Sequence, residues 1–146
     1  MKFSATGMEL LKRSEGFRNR VYRDTAGFST IGYGHRLRLH ESFSNGISEP
    51  QAVSLLAGDV LEAEQAVQRM VKVPLLQGQF DALVDFCFNL GAGRLASSTL
   101  LTDLNAGKYK DAAAQLLLWD HAGGEESTAL KARREAEAAL WRNETA

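Results

Sequence analysis

The amino-acid sequence predicts an α+β protein, mostly helical, in which a small β-hairpin region near the N-terminus and a C-terminal helical bundle form two lobes joined by a long helix. Three features carry this reading. Residues 21–34 are rich in aromatic and β-branched side chains and are broken by Gly27, Gly32 and Gly34, the composition of short strands and tight turns. Past Ser48, apolar residues recur at steps of three or four as far as Val71, the period of a helix buried on one face. Beyond Pro74 the apolar runs are separated by Gly91, Gly93, Gly107 and Gly123–Gly124, which mark the ends of successive helices.

The first helix is expected to open at Thr6-Gly7-Met8-Glu9, a capping-box pattern, to bury Met8, Leu10 and Leu11, and to stop at Gly16. That places Glu15 at a helix C-terminus. The hairpin region follows between Val21 and Gly34, and a polar loop through His40, Asn45 and Gly46 leads to Ser48-Glu49-Pro50-Gln51. This last group joins an N-cap, an acidic first turn, an early proline and a capping glutamine, and it opens the long helix. Val53, Leu56, Val60, Ala63, Val67 and Met70–Val71 form its apolar face, and Pro74 limits it. Helical runs are then expected near 75–90, 97–105, 108–120 and 128–142. No fixed-period repeat is present, which argues against a solenoid.

With 146 residues, 45% of them hydrophobic, the chain suits one domain with its own core rather than two full-sized ones. Its lobes are placed at about 12–60 and 70–146. Cys87 is the only cysteine, so no internal disulfide forms and a reducing compartment suits the chain. The opening MKFSATGMELLKRSEGF has only Leu10 and Leu11 side by side, without the apolar core of an export signal, so synthesis in the cytoplasm is expected. No stretch approaches the roughly 18 apolar residues of a spanning helix, so membrane insertion is not expected.

The net charge is −1, but residues 1–40 hold eight Lys or Arg against three acids, and residues 41–90 hold two against seven. The basic first part suits an anionic partner. A nucleic-acid binder would be basic overall, so nucleic acid is not expected. The three histidines, His35, His40 and His121, with one distant cysteine, give no recognisable metal-ligand spacing. A monomer without cofactor or metal is expected.

Glycoside hydrolysis needs a protonated acid at the leaving oxygen and a second group to handle water or the developing cation. Glu15 and Asp24 are the candidate pair. The negative end of a helix dipole disfavours a further negative charge beside it, which suits Glu15 as the acid, while Asp24 in a glycine-rich turn is expected to stay ionised. Two carboxylates nine residues apart carry little weight alone, because eighteen acids are scattered through this chain.

The surrounding segment adds the weight. SEGFRNRVYRDTAGFSTIGYGH resembles the catalytic segment of phage-type lysozymes, glycoside hydrolase family 24. The family pattern is a glutamate, eight residues, an aspartate, five residues and a threonine, and Glu15, Asp24 and Thr30 stand at those intervals. LLQGQFDALVDFCFNLGAGRLASSTLLTDLNAGKY and WDHAGGEESTALKARREAEAALW are similar to later segments of these endolysins, so nearly the whole chain is covered. One departure is Ala129-Leu130, where the family commonly has Gly-Leu; it bears on the turn entering the last helix.

The resemblance implies a lysozyme fold with its cleft between the lobes, and hydrolysis of the β-1,4 bond between N-acetylmuramic acid and N-acetylglucosamine in peptidoglycan. It implies Glu15 as the proton donor, and Asp24 with Thr30 holding a water on the opposite face, an inverting course. A retaining course through an Asp24 ester stays open, the separation of the carboxyls being the discriminator. It also implies a role in host lysis that depends on a holin for access to the wall. One of Lys131, Arg133 and Arg134 is implied to face Glu15, with Arg133 or Arg134 preferred. Phe88, Ser98 and Thr99 correspond to cleft-facing stretches that contact sugar rings. The competing readings are core packing for Phe88 and helix capping for Ser98.

Other residues have plainer expectations. His35 is read as a structural hydrogen-bonding partner, Cys87 as an inert core residue, and Trp119 and Trp141 as packing residues of the bundle. Two rival functions remain: a lytic transglycosylase, which cuts the same glycan without water, and a non-catalytic wall-binding module on the same fold.

Overall fold

The computed structural model describes residues 1–122 and 124–143 of the chain. Helix α1 (Ala5–Glu15) starts two residues earlier than the capping-box pattern implied, with Ser4 as N-cap. Asp81, distant in sequence, selects it: the Ser4 amide and hydroxyl both donate to the Asp81 carboxylate while Ser4 Oγ accepts from the Gly7 amide at 3.2 Å. The helix ends at Gly16, whose φ of 70° is open to glycine at little cost.

Strands β1 (Arg18–Arg23), β2 (Ser29–Gly32) and β3 (His35–Arg36) form one antiparallel sheet in the order β1-β2-β3. Tyr22 stands opposite Thr30, and Ile31 opposite His35. The expected hairpin is thus present and gains a short third strand. Ile31, Ile47 and Ala52 form a small core beneath it, which fixes the sheet on the first turns of α2 (Glu49–Met70). As the sequence predicts, Ser48 caps α2 in a full capping box with Gln51. The helix stops at Met70, before Pro74.

Helix α3 (Gln77–Leu90) runs through the centre of the helical lobe, and ten of its consecutive residues, Gly78–Cys87, are buried. A helix buried on every side belongs inside a bundle. Leu76 cannot cap its start, so Gln79 Oε1 accepts from the Leu76 amide at 2.9 Å instead. Around α3 pack α1, α2, α4 (Ala92–Ala96) and α7 (Thr128–Asn143), while α5 (Thr99–Asn105) and α6 (Tyr109–Leu116) pack on each other and reach α4 and α7, with Leu11, Leu56, Val67, Phe80, Phe86, Leu100 and Trp141 in one continuous core. Gly93 lies inside α4 rather than at a break, and the run expected at 97–105 begins only after Ser98. The run expected to reach residue 120 ends at Leu116, and a two-stranded ribbon, β4 (His121–Ala122) with β5 (Glu125–Glu126), precedes α7. Ser127 Oγ accepts from the Leu130 amide at 3.2 Å, so Ala129-Leu130 enters α7 through an ordinary capped turn.

Helix α1 packs on α3 and α7, so it belongs with the helical lobe, and the sheet lobe starts at β1 rather than near residue 12. Cys87 and Trp141 are buried, and Trp119 meets Phe86 edge-on at 5.5 Å, as expected of packing residues. Among the described residues no helix is long and apolar enough to cross a membrane.

His35 joins the sheet to α2. It is buried, with Nδ1 at 2.7 Å from Asp59 and Nε2 at 2.9 Å from Glu41. Burial disfavours its charged form, but the hydrogen bonds and charges of Glu41 and Asp59 outweigh that and raise its proton affinity above the ordinary value. Burial also pushes the Asp59 carboxyl up, the His35 proton offsetting this only in part. Glu41 is the firmer anion: burial raises its carboxyl, but the Arg38 amide and His35 bring it below the usual range. A site that binds its proton more tightly when folded contributes stability at low pH and loses it as pH rises through the folded-state pKa. Stability is therefore expected to fall as pH rises above the ordinary histidine range, because the folded-state proton affinity of His35 is raised, and His35→Gln to flatten that decline. Thermal melts across that rise in pH check it; an equal decline in both proteins would place the effect in another group.

Candidate active site

A cleft of about 670 Å³ opens between the sheet and the helical lobe. Tyr22, Asp24, Phe28, Thr30 and Arg36 line one side, Phe88, Asn89 and Leu90 the other, and Asp59, Glu62, Ala63 and Ala66 of α2 the floor. Glu15 lies in the same lining, so Glu15, Asp24 and Thr30 share one cavity although they come from a helix end, a turn and a strand.

The two oxygens of Glu15 meet different surroundings. Arg133 Nη1 donates to Oε2 at 2.6 Å. Oε1 lies against the Gly34 backbone, where a Cβ would stand only 2.5 Å from it, and the φ of Gly34 is 75°. Glycine is required there for both reasons. Arg133 is itself buried and is gripped by Asp85, Nε donating to Oδ2 and Nη2 to Oδ1, each at 2.9 Å. Burial works against the charge on Arg133, but Asp85 and Glu15 outweigh it, so the guanidinium is held firmly protonated. Of the three basic residues considered, Arg133 faces Glu15. Arg134 is buried against Asn89 and Glu137, and Lys131 approaches Glu126 at 3.6 Å on the surface.

Asp24 sits in the turn between β1 and β2 and shapes it. Its Oδ1 accepts from the amides of Ala26 at 3.0 Å and Phe28 at 2.8 Å, and Oδ2 accepts from Arg36 Nε at 3.1 Å. The small burial of Asp24 acts to raise its carboxyl, yet the Phe28 and Ala26 amides and the Arg36 charge bring it below the ordinary carboxylate range. It is an anion at neutral pH, as the sequence led us to expect. Arg36 also lies over the exposed Phe28 ring at 4.2 Å.

Thr30 is 2% exposed, and its Oγ1 donates to the Phe28 carbonyl at 2.8 Å. With that proton committed, the hydroxyl offers only lone pairs to further partners, so it can accept a hydrogen bond from water but not give one. Tyr22 lies nearby; burial first, then the charge of Glu15, push its phenol up, so it remains neutral.

The other sugar-contact candidates separate. Phe88 lines the cleft. Ser98 is buried as the N-cap of α5, accepting from the Leu101 amide at 3.1 Å and donating to the Leu95 carbonyl at 2.7 Å. Both functions of its hydroxyl serve the backbone. Thr99 is exposed at the start of α5, and neither Ser98 nor Thr99 is part of the cleft lining. Burial pushes the Cys87 thiol up to about 11, so it is no nucleophile. Among the described residues no three of His, Cys, Asp and Glu come together as a metal site.

Sequence reasoning overlooked Asp85 and Arg36. Asp85 had a signal, a lone acid within Leu83–Phe88, where a charge would be buried unless paired. Arg36 had none, since only the β2–β3 pairing carries it back beside Asp24.

Comparison with known proteins gives one consistent result. The Phage lysozyme family profile matches residues 12–137. The chain is 43% identical to the endolysin of Bacillus phage B103 over 144 residues, covering 97% of this chain and 54% of that protein. It is 39% identical to the endolysin of Salmonella phage P22 over 137 residues, 92% of this chain and 94% of that one. It thus spans about half the length of the first relative and nearly all of the second. Among solved structures, the muramidase domain of SpmX from Asticaccaulis excentricus superposes with a TM-score of 0.86 at 35% identity, covering 96% of this chain and 97% of that domain.

Proposed function

The chain belongs to the phage lysozyme family, and from that membership and the chemistry of the cleft we propose that it is a muramidase of the endolysin type, acting on the glycan strands of bacterial peptidoglycan through Glu15, Asp24 and Thr30. The observation that carries the proposal is that an acid with one oxygen engaged by Arg133, an ionised carboxylate and a hydroxyl acceptor line the same cavity.

Glu15 gives its proton to the glycosidic oxygen as the bond to C1 of N-acetylmuramic acid breaks. A water on the opposite face of the sugar donates one hydrogen bond to Thr30 Oγ1 and one to Asp24, and its oxygen attacks C1 of the oxocarbenium-like centre. Asp24 takes the proton released, and solvent returns one to Glu15. Glycan cleavage leaves a reducing N-acetylmuramic acid, the α anomer first. Phe88, beside Asn89 on the helical wall, offers an aromatic edge to a sugar ring.

We assign the chain a monomeric state and synthesis in the host cytoplasm, with access to the wall through a separate holin.

The test is Asp24→Asn, which keeps the oxygen that organises the turn and removes the charge. Release of reducing ends from purified sacculi is expected to fall by about 10²- to 10⁴-fold, and NMR of early wild-type product to show the α anomer. Turnover near that of wild type in the variant would remove Asp24 from the reaction. An initial β anomer would replace the water with a covalent Asp24 ester.

A further inference from the structure

We propose that Asp85 is a positioning residue for the reaction: from within α3 it locks the Arg133 guanidinium, so that Glu15 turns a single fixed oxygen, Oε1, toward the cleft. The inference rests on the reading of Glu15 as the proton donor.

The side chain of Asp85 is 0% exposed, in the stretch Gly78–Cys87 that is buried throughout. A carboxylate in such a place is costly unless paired, and an apolar pair of similar volume would serve stability as well or better. The geometry gives the charge a task. Two bonds of 2.9 Å hold one edge of the planar guanidinium, and the remaining Nη1 is thereby aimed at Glu15 Oε2, 2.6 Å away. A rigid fork gripped on one side cannot swing on the other. With Oε2 tethered and Oε1 against Gly34, the Glu15 carboxyl has one orientation.

Glu137 of α7 supports Asp85 from behind. It is fully buried, and its carboxyl shares a hydrogen bond with Asp85. Burial, followed by that bond, drives Glu137 well above the carboxylate range and keeps the shared proton on it. Burial acts to raise Asp85 too, but the Glu137 bond and Arg133 hold it down as the anion. Arg134 closes the cluster, 2.9 Å from Glu137 and 2.6 Å from Asn89. Among the charged and titratable groups that face Glu15 are Arg133 from α7, Asp85 from α3 acting through it, and Tyr22 from β1.

Asp85 also divides the charge of Arg133. Without it the guanidinium would pair with Glu15 alone and favour the anionic glutamate, a form that cannot protonate the leaving oxygen. Because Asp85 does not line the cleft, its loss is expected to spare glycan binding.

Asp85→Asn tests this, with kcat, KM and the pH profile measured on solubilised glycan strands and folding checked by circular dichroism. The expected result is a kcat at pH 7 lower by about tenfold or more, a KM within about twofold, and an alkaline limb of kcat/KM displaced to lower pH by about one unit. An unchanged profile, with activity reduced only as far as folded protein is reduced, would overturn the proposal. Should the variant not fold, ¹³C titration of the carboxyl carbons in the wild-type protein decides. The Asp85 carbon is expected to respond at the titration step of Glu15, and its failure to do so would overturn the proposal. Hydrolysis by wild type with a wild-type profile in Asp85→Asn would retire this inference alone. Absence of hydrolysis by wild type would retire the muramidase reading as well.

Discussion

Glu15→Gln is expected to abolish lysis of outer-membrane-permeabilised bacteria, with glycan cleavage reduced by about 10²- to 10⁴-fold, the range supplied by a positioned general acid. Glutamine keeps an oxygen that Arg133 Nη1 can reach and fits the space beside Gly34, so the fold should persist. The variant should still bind isolated sacculi. Turbidity loss and pelleting with sacculi, run side by side, check both halves. Clearing at the wild-type rate would remove Glu15 from the chemistry, and no clearing by either protein while both bind would favour a wall-binding module.

Arg133→Met is expected to have the largest effect on stability, a loss of about 3–5 kcal/mol at neutral pH. Removing one member of a buried pair strands the charge of the other, and here Asp85 would keep only its bond to Glu137 and the nearby Arg134. The sign of the pH dependence separates this from simple loss of packing. In the wild-type protein burial raises Asp85, but Glu137 and the two arginines more than reverse that, so Asp85 contributes stability above the unfolded carboxylate range and loses it as pH falls. In Arg133→Met the burial penalty dominates, and stability should recover as pH is lowered toward about 5. Urea unfolding at pH 5 and pH 8 checks this; a deficit equal at both values would mean that the arginine acts through its packing alone.

Much of the frame was legible in local chemistry. Ser48 with Gln51 announces the start of α2, Gly16 the end of α1, and the glycine-broken aromatic stretch the sheet, because caps and tight turns are decided by residues close together in sequence. The intervals among Glu15, Asp24 and Thr30 point to the same cavity that the fold assembles. What was hidden depends on contacts between distant segments. The capping-box pattern points to Thr6, and Ser4 becomes the cap because Asp81 reaches back from α3 to take its amide. Arg133 and Arg134 are neighbours about 100° apart around a helix, and only the seating of α7 on α3 decides that one meets Glu15 and the other Glu137. Ser98 had helix capping as its competing reading and is consumed as a cap, while Thr99, also read as a sugar contact, stands outside the cleft. Arg36 reaches Asp24 only because β3 folds back along β2.

Entry of water into the broken bond separates hydrolysis from cyclisation. Sacculi digested with the wild-type protein in ¹⁸O-labelled water, followed by mass spectrometry of the released muropeptides, measure this directly. Hydrolysis through Glu15 and a water held by Asp24 and Thr30 gives products with a reducing N-acetylmuramic acid carrying one ¹⁸O. Unlabelled 1,6-anhydro products, lighter by one water, would contradict it and make the protein a transglycosylase.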